Sequence, residues 1–327
     1  MSDVVLVGCR TAETGGNGTG ISVFRRTGTE LTFDSTLPMV SPTWLVQHPS
    51  LPMVYAANET SHGEITSISV ADGLTALDVV DSGGADPCHL SVPPNGRFLL
   101  CGNYSGGSLA VFALRADGRI DGQTDLVQHQ GSGPRPARQD SPHVHMAMSS
   151  ADSSVVSAVD LGTDEIRSYT LSPDGKLTPL AVTALSPGTG PRQLVRGKSA
   201  AYVVGELSGE LITMRETSPG AFELVATTSA TAAGGESLVA HLEVRESGVY
   251  LSNRGPDCVT SFTGSPLQAT ADQPCGTYPW HFAVVDGICY VAAMRDDTIS
   301  AFPLAELGNA KVQSFPAGSP TCVLPLR

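Results

Sequence analysis

Basic residues are scarce in this chain of 327 residues: 19 Lys and Arg stand against 32 Asp and Glu, for a formal net charge of −13. A nucleic-acid-binding surface displaces counterions with clustered cations, and this composition lacks the means to build one. The same balance argues against an anionic membrane surface. It also removes bulk steering of anionic ligands, so an anion site must rest on a few local arginines. No stretch approaches the roughly 18 apolar residues of a membrane helix. The start, Met1-Ser2-Asp3-Val4-Val5-Leu6-Val7-Gly8, has no basic n-region and no long apolar h-region, so no secretory signal is expected. The seven cysteines are odd in number and form no CxxC. Neither a disulfide framework nor a zinc site is suggested, and a cytoplasmic protein with reduced thiols is the simplest reading. The absence of GxSxG removes support for Ser-His-Asp hydrolysis. No nucleotide, flavin or haem motif occurs, so no cofactor is expected.

Sustained helical periodicity is also missing. What is present is repetition. An apolar run is followed, across a turn, by an alternating strand that opens on Gly or Asp: Gly20-Ile-Ser-Val-Phe24, Gly63-Glu-Ile-Thr-Ser-Ile-Ser-Val70, Gly107-Ser-Leu-Ala-Val-Phe-Ala-Leu114, Asp164-Glu-Ile-Arg-Ser-Tyr-Thr-Leu171, Gly209-Glu-Leu-Ile-Thr-Met214, Asp257-Cys-Val-Thr-Ser-Phe262 and Asp297-Thr-Ile-Ser-Ala-Phe302. The seven copies are 43, 44, 57, 45, 48 and 40 residues apart. The runs before them, such as Met53–Ala57, Phe98–Cys101 and Val155–Val159, are continuously apolar, as strands buried on both faces are. Asp117-Gly118, Asp174-Gly175 and Asp286-Gly287 supply hairpin turns. A repeat of this length with several strands per unit predicts an all-β, seven-bladed β-propeller occupying residues 1–327 as one domain. An x-Pro-x-x-apolar segment opens most units: Ser41-Pro42, Asp86-Pro87, Ser141-Pro142, Gly190-Pro191 and Tyr278-Pro279. The N-terminal unit lacks one, and the missing copy is Ser319-Pro320-Thr321-Cys322-Val323 near the C-terminus. The C-terminal strand is therefore expected to complete the first blade.

In a propeller the opening strand of each blade lines a channel, so residues after the Pro should crowd its mouth. They are His89, His143, His145, Arg192, Gln193 and His281, and the turns after the apolar strands add Asn58-Glu59, Asn103-Tyr104, Asp160, Glu206 and Asn253-Arg254. His or Glu can move a proton near neutral pH when its surroundings tune it. Arg can grip a carboxylate or phosphate bidentately, or stabilise an oxyanion. Against this stand duller roles: a lone His in packing, Glu206 as a solvated turn carboxylate, Arg192 and Arg254 as props between blades. His143 and His145, two apart, are expected to share a face of one strand. No third ligand accompanies them, which disfavours metal binding, although a divalent ion in the channel stays open. Cys88 has no activating partner in sequence. The longest repeat spacing holds a polar, Pro-rich loop, Gly131–Asp140, of the kind that is often functional.

The segments Pro87-Cys88-His89-Leu90, Asn103-Tyr104-Ser-Gly-Gly107, Arg138-Gln139-Asp-Ser-Pro-His-Val-His145, Asp160-Leu-Gly-Thr-Asp164, Gly188-Thr-Gly-Pro-Arg192, Glu206-Leu207 and Ser252-Asn-Arg-Gly255 follow one another at about one per blade. In this order the chain resembles the seven-bladed propeller lactonases, which include 6-phosphogluconolactonase and carboxy-cis,cis-muconate lactonising enzyme. The resemblance implies catalytic residues among His143 or His145, Arg192, Glu206 and Arg254. His89, Asn103, Tyr104, Gln193, Trp280 and His281 would contact the substrate. It implies hydrolysis of a sugar-acid lactone, with 6-phosphogluconolactone the leading substrate. The alternatives are cycloisomerisation of a muconate-type diacid and a non-catalytic binding scaffold. Two departures stand out. The family commonly has His where Gln193 stands, and Pro-Arg where Pro279-Trp280 stands. An aromatic in place of a cation would change how an anionic substrate tail is held.

Overall fold

The computed structural model describes residues 3–327; Met1 and Ser2, part of the N-terminal reading above, lie outside them. The chain forms seven four-stranded antiparallel sheets. Their first strands are Pro320–Pro325, Pro42–Gln47, Pro87–Ser91, Val144–Ser149, Pro191–Arg196, Leu238–Arg245 and Pro279–Val285. The second strands are Val4–Cys9, Met53–Asn58, Phe98–Asn103, Val155–Asp160, Ala201–Gly205, Gly248–Arg254 and Ile288–Ala293. The third are Gly20–Thr27, Glu64–Ser69, Ser108–Leu114, Glu165–Leu171, Glu210–Ser218, Cys258–Thr263 and Thr298–Pro303. The fourth are Glu30–Pro38, Thr75–Asp81, Ile120–Gln128, Leu177–Ala184, Ala221–Ser229, Gln268–Pro274 and Gln313–Pro316.

Burial follows strand rank. Second strands such as Met53–Asn58, Phe98–Asn103 and Val155–Asp160 are buried at every position, which is why they read as unbroken apolar runs. Fourth strands alternate and are largely exposed, as in Thr75–Asp81.

Each third strand is entered through a residue with positive φ: Gly20, Gly63, Gly107, Asp164, Gly209, Asp257 and Asp297. At Gly63 a Cβ would meet Gly84 O at 2.0 Å, so the position demands glycine on space as well as on conformation. Where Asp replaces Gly, its carboxylate is used. Asp164 accepts from the backbone N–H groups of Gly188 and Gly190, Asp257 from that of Tyr278, and Asp297 from that of Ser319. Gly190, Tyr278 and Ser319 each precede the proline that opens a first strand. The left-handed Asp thus ties the turn of one sheet to the opening of the next.

The chain divides into two compact units: Met1–Thr43 with Val195–Thr213 and Val225–Arg327, and Trp44–Leu194 with Met214–Leu224. The first unit carries the first, sixth and seventh sheets. In it, Val5, Val7 and Val323 pack against Tyr290, Ala292 and Ile299. Tyr250 and Val259 pack against Phe282, Val291 and Phe302. The second unit carries the third and fourth sheets, where Leu100, Leu109 and Val111 meet Ala147, Val156 and Ala158.

The C-terminal strand pairs antiparallel with Val4–Cys9, Val323 opposite Val7 and Leu324 opposite Leu6, and completes the first sheet as expected. It is also held laterally. Thr321 Oγ1 donates to Thr43 O at 3.0 Å, and His281 Nδ1 accepts from the Val323 N–H at 3.3 Å. A chain ended at Gly318 would leave the Val4–Cys9 ladder unpaired and Val5 and Val7 uncovered. We expect this truncation to be insoluble, or to lose its cooperative thermal melt and near-ultraviolet circular dichroism. An unchanged melt would contradict the role given to this strand.

Candidate active site

The first strands share a local irregularity that decides where their side chains go. Pro87 pairs with Asn103 but His89 pairs with Gly102, so Cys88 is an extra residue, a β-bulge. The same shift falls at His145 between Val144 and Met146, at Ala240 between Val239 and His241, and at Trp280 between Pro279 and His281. In the C-terminal strand it falls at Thr321. A bulge re-aims one side chain out of the alternation, and here it does so at the mouth of each of these strands.

This register corrects two expectations. Val144, and not Pro142, stands opposite Asp160 as Pro87 stands opposite Asn103, so His145 shares the bulge position with Cys88 and Trp280. His143 precedes the strand. The two histidines therefore do not share a face of a regular strand; the bulge breaks the alternation on which that reading depended.

In the second unit four of the expected residues come together. Arg192 Nη1 donates to His145 Nε2 at 2.5 Å, with both residues buried. A guanidinium only donates, so Nε2 of His145 is the acceptor in this contact. Its Nδ1 lies 3.9 Å from Cys88 Sγ. Burial first, then the Glu59 charge, pushes the Cys88 thiol well above its ordinary range against the opposing pull of Arg192, the direction that disfavours a reactive thiolate. Tyr104 stands between the histidines. Its ring stacks on His143 at 4.3 Å and meets His145 edge-on at 5.6 Å, while Arg138 donates to its hydroxyl at 3.4 Å.

His143 is positioned by a buried network that the sequence did not reveal. Its Nδ1–H donates to Tyr104 O at 3.0 Å, and Nε2 lies 3.4 Å from Asp140 Oδ1. Asp160 Oδ1 accepts from the backbone N–H groups of His143, Gly162 and Thr163. Asp160 Oδ2 accepts from His129 Nδ1–H at 2.7 Å, and both side chains are wholly buried. Tyr169, its phenol pushed up to about 12 by burial, donates to His129 Nε2 at 3.0 Å. The loop Gly131–Asp140 is fastened from inside: Gln139 Nε2 donates to Leu161 O and to Asp164 Oδ1.

In the first unit Glu206 and Arg254 form an ion pair at 2.9 Å, with 1% and 3% of the side chains exposed. Arg254 is immobilised by donation to Leu238 O at 3.0 Å and Val239 O at 3.2 Å. Its guanidinium lies 5.0 Å from the Trp280 ring and 5.2 Å from that of Tyr278. Tyr278 itself sits at φ 61, a conformation that costs a bulky residue on the order of 1–3 kcal/mol. The His281 and His241 rings lie 3.8 Å apart at a 36° tilt, and His241 belongs to a first strand, Leu238–Arg245, that has no proline signal.

Other expected contacts are placed differently. Asn103 is fully buried and its Nδ2 serves Ser82 O and Ser108 Oγ; Asn253 serves Ala230 O and Thr260 Oγ1 in the same way. Both brace their turns. His89 lies 4.5 Å from the ring of Trp44, and Gln193 is buried on its strand. No group of three His, Cys, Asp or Glu suited to a metal occurs among the described residues. No helix of the structure is long and apolar enough to cross a membrane.

Seven four-stranded sheets, five of them with bulged openings that carry Cys88, His145, Ala240, Trp280 and Thr321, define a propeller. The family model described as lactonase, 7-bladed β-propeller, matches residues 4–325, and the chain belongs to this family. Among curated relatives, the chain is 33% identical to the 6-phosphogluconolactonase of Bacillus subtilis over 230 residues. That match covers 64% of this chain and 65% of that protein, just under two thirds of its length. It is 27% identical to the 6-phosphogluconolactonase of Formosa agariphila, over 82% of each. Among solved structures, the periplasmic gluconolactonase of Pseudomonas aeruginosa superposes with a TM-score of 0.89 at 27% identity, over 98% of each chain.

A buried pair tolerates loss of both charges better than loss of one. Arg254→Ala should lower stability by about 3–5 kcal/mol by stranding the Glu206 carboxylate. The double variant Glu206→Gln with Arg254→Met should cost clearly less. Chemical denaturation of the two variants checks this, and equal losses would mean that Glu206 gains nothing from Arg254.

Proposed function

We propose that this protein is a lactonase that hydrolyses a sugar-acid lactone, with 6-phosphogluconolactone the favoured substrate. The observation that carries the proposal is the buried Glu206–Arg254 pair, fixed by two backbone carbonyls, in a chain of the propeller lactonase family. A carboxylate taken out of water and held rigidly costs stability, which a purely structural turn residue has no need to spend. It is the kind of base that hydrolysis requires.

The reaction divides into water attack and ring opening. Glu206 takes a proton from water as its oxygen bonds to the ring carbonyl carbon. The carbonyl oxygen becomes an oxyanion, which a guanidinium can stabilise. The intermediate collapses with cleavage of the ring C–O bond, the leaving ring oxygen takes the proton that Glu206 had accepted, and an open hydroxy acid leaves, which ionises near neutral pH and releases a proton. Remaining roles are proposed residue by residue. Arg254 pairs with the Glu206 carboxylate and fixes its orientation. Arg192 stabilises negative charge, a role suited to a guanidinium whose position is set by His145. His145 and His143 handle protons, each with one ring nitrogen committed to a defined partner. The protein is proposed to work as a single domain, on the continuous family match over residues 4–325, and in the cytoplasm, a reading to which its seven free thiols lend support.

Purified protein is added to fresh 6-phosphogluconolactone near neutral pH and proton release is followed above the spontaneous rate. We expect rapid hydrolysis, reduced on the order of 100-fold or more in Glu206→Gln, the range seen for loss of a positioned acid or base. Acceleration that survives in Glu206→Gln would remove Glu206 from the mechanism. No acceleration by the wild type would overturn the substrate.

A further inference from the structure

We propose that Arg295, seated on the ring of Tyr278, is the specificity residue that receives the phosphate of the sugar lactone. The inference rests on the lactonase reading above and adds to it the group by which the substrate is selected.

Tyr278 is the first sign of a built site. The residue before the opening proline is left-handed at five sheets: Ser41 at φ 38, Asp86 at φ 54, Gly190 at φ 57, Ser319 at φ 39 and Tyr278 at φ 61. Four of the five are small. A bulky ring at this position carries strain that a small residue would avoid, and such strain persists where the side chain has a task. Here the ring stands between two cations. The Arg254 guanidinium, paired with Glu206, lies 5.2 Å from its centroid, and that of Arg295 lies 3.9 Å from it. Arg295 is thus one aromatic ring away from the carboxylate–arginine pair.

The mount of Arg295 is the second observation. The second strand of the seventh sheet ends at Ala293, opposite Pro279, and runs into the single 3-10 turn Met294–Asp296. That turn is stitched to the segment that carries Tyr278. Met294 N–H donates to Tyr278 O at 3.3 Å, Arg295 N–H donates to Thr277 O at 3.2 Å, and Asp296 Oδ2 accepts from Thr277 N–H at 2.6 Å. A Cβ at Gly276 would lie 2.8 Å from the Ala293 Cβ and 3.0 Å from Asp296 Oδ2, so the two segments are in direct contact. Ring and guanidinium are carried by backbone that is fixed in relation to both.

Third, the charge of Arg295 is available. The residue is exposed, and among the described residues no carboxylate pairs with its guanidinium. Two aspartates follow it directly, and both are directed elsewhere: Asp296 to the N–H of Thr277, Asp297 to the N–H of Ser319 and to Asn17 Nδ2. A guanidinium seated over a ring keeps its edge of N–H donors open, and that planar fork matches phosphate oxygens. In a protein of net charge −13 the overall field repels an anion, so its selection must come from direct contact of this kind.

The test compares 6-phosphogluconolactone with glucono-1,5-lactone, which lacks the phosphate, in the wild type, Arg295→Ala, Arg295→Lys, Tyr278→Phe and Tyr278→Gly. Glycine keeps the left-handed backbone and removes the ring. The readout is the ratio of kcat/KM for the two lactones, which does not depend on how much of a variant is folded. We expect a wild-type preference for the phosphorylated lactone that falls about tenfold in Arg295→Ala through KM and is partly restored in Arg295→Lys. It should fall in Tyr278→Gly and persist in Tyr278→Phe, which keeps the ring. Titration calorimetry with the product 6-phosphogluconate gives a readout without turnover, and its affinity should fall by about the same factor in Arg295→Ala. An unaltered ratio in Arg295→Ala or in Tyr278→Gly, or a wild type that prefers neither lactone, overturns the proposal and leaves the lactonase reading standing. If the wild type hydrolyses neither lactone, the lactonase reading falls and calorimetry decides Arg295 alone. Weaker binding of 6-phosphogluconate by Arg295→Ala than by the wild type then supports the phosphate seat; equal binding, or none by either, overturns it.

Discussion

A four-stranded sheet of short strands has two apolar faces and too little chain to cover either, and this constraint organises the rest of the molecule. The faces are buried against neighbouring sheets. Val5 and Val323 of the first sheet meet Tyr290 and Ile299 of the seventh, and Leu100 and Val111 of the third meet Val156 and Ala158 of the fourth. Second strands lie deepest and are mainly apolar, with most of their polar residues, such as Asn58, Asn103, Asp160 and Arg254, at the last position. Polar chemistry is thereby pushed to the strand ends, where the bulges and turns are. The concentration of Glu206, Arg254, Arg192, His143 and His145 at such ends follows from where a propeller blade has room for them.

The repeat was legible because its punctuation is conformational. A left-handed residue at the entry to each third strand must be Gly or Asp, and those letters alone located seven sheets. The C-terminal strand was legible because a missing Pro segment at one end matched a surplus one at the other. Fourth strands escaped notice: they are edges, exposed on alternate positions, and edge strands place weak demands on composition. The sixth sheet opens on Leu238–Val239 without proline, so His241 was passed over. Pro142 looked like a sixth copy of the opening motif but lies two residues early, since Val144 is the residue that pairs with Asp160. The buried His129–Asp160–Tyr169 network joins residues 31 and 40 apart in sequence, and no local pattern announces it.

The charges in this protein do unequal work. Lys198 and Glu246 form an ion pair with 88% and 87% of their side chains exposed, a geometry worth little after screening and side-chain entropy are counted. Glu206 and Arg254 sit in the opposite regime, where desolvation is large and each charge depends on its partner. Between these extremes, Asp164, Asp257 and Asp297 spend their carboxylates on backbone N–H groups at the sheet openings. That use explains how an acidic chain can hold its cations at strand mouths: much of the negative charge near them is already committed to turns.

The bulge separates scaffold from chemistry. Cys88, His145, Ala240, Trp280 and Thr321 occupy one backbone irregularity with five different side chains, while the flanking residues are locked in ladder and core. A thiol, an imidazole, a methyl group, an indole and a hydroxyl are all accepted because the bulged side chain leaves the alternation that builds the sheet. Specificity can therefore change at these positions without repacking a blade. Trp280, standing where the family commonly places a cation, is such a change: the bulge presents an indole there, and the Arg254 guanidinium lies 5.0 Å from its ring. A fold that holds its backbone constant and varies one residue per blade can alter what it presents at a strand mouth while keeping a buried carboxylate–arginine pair in place.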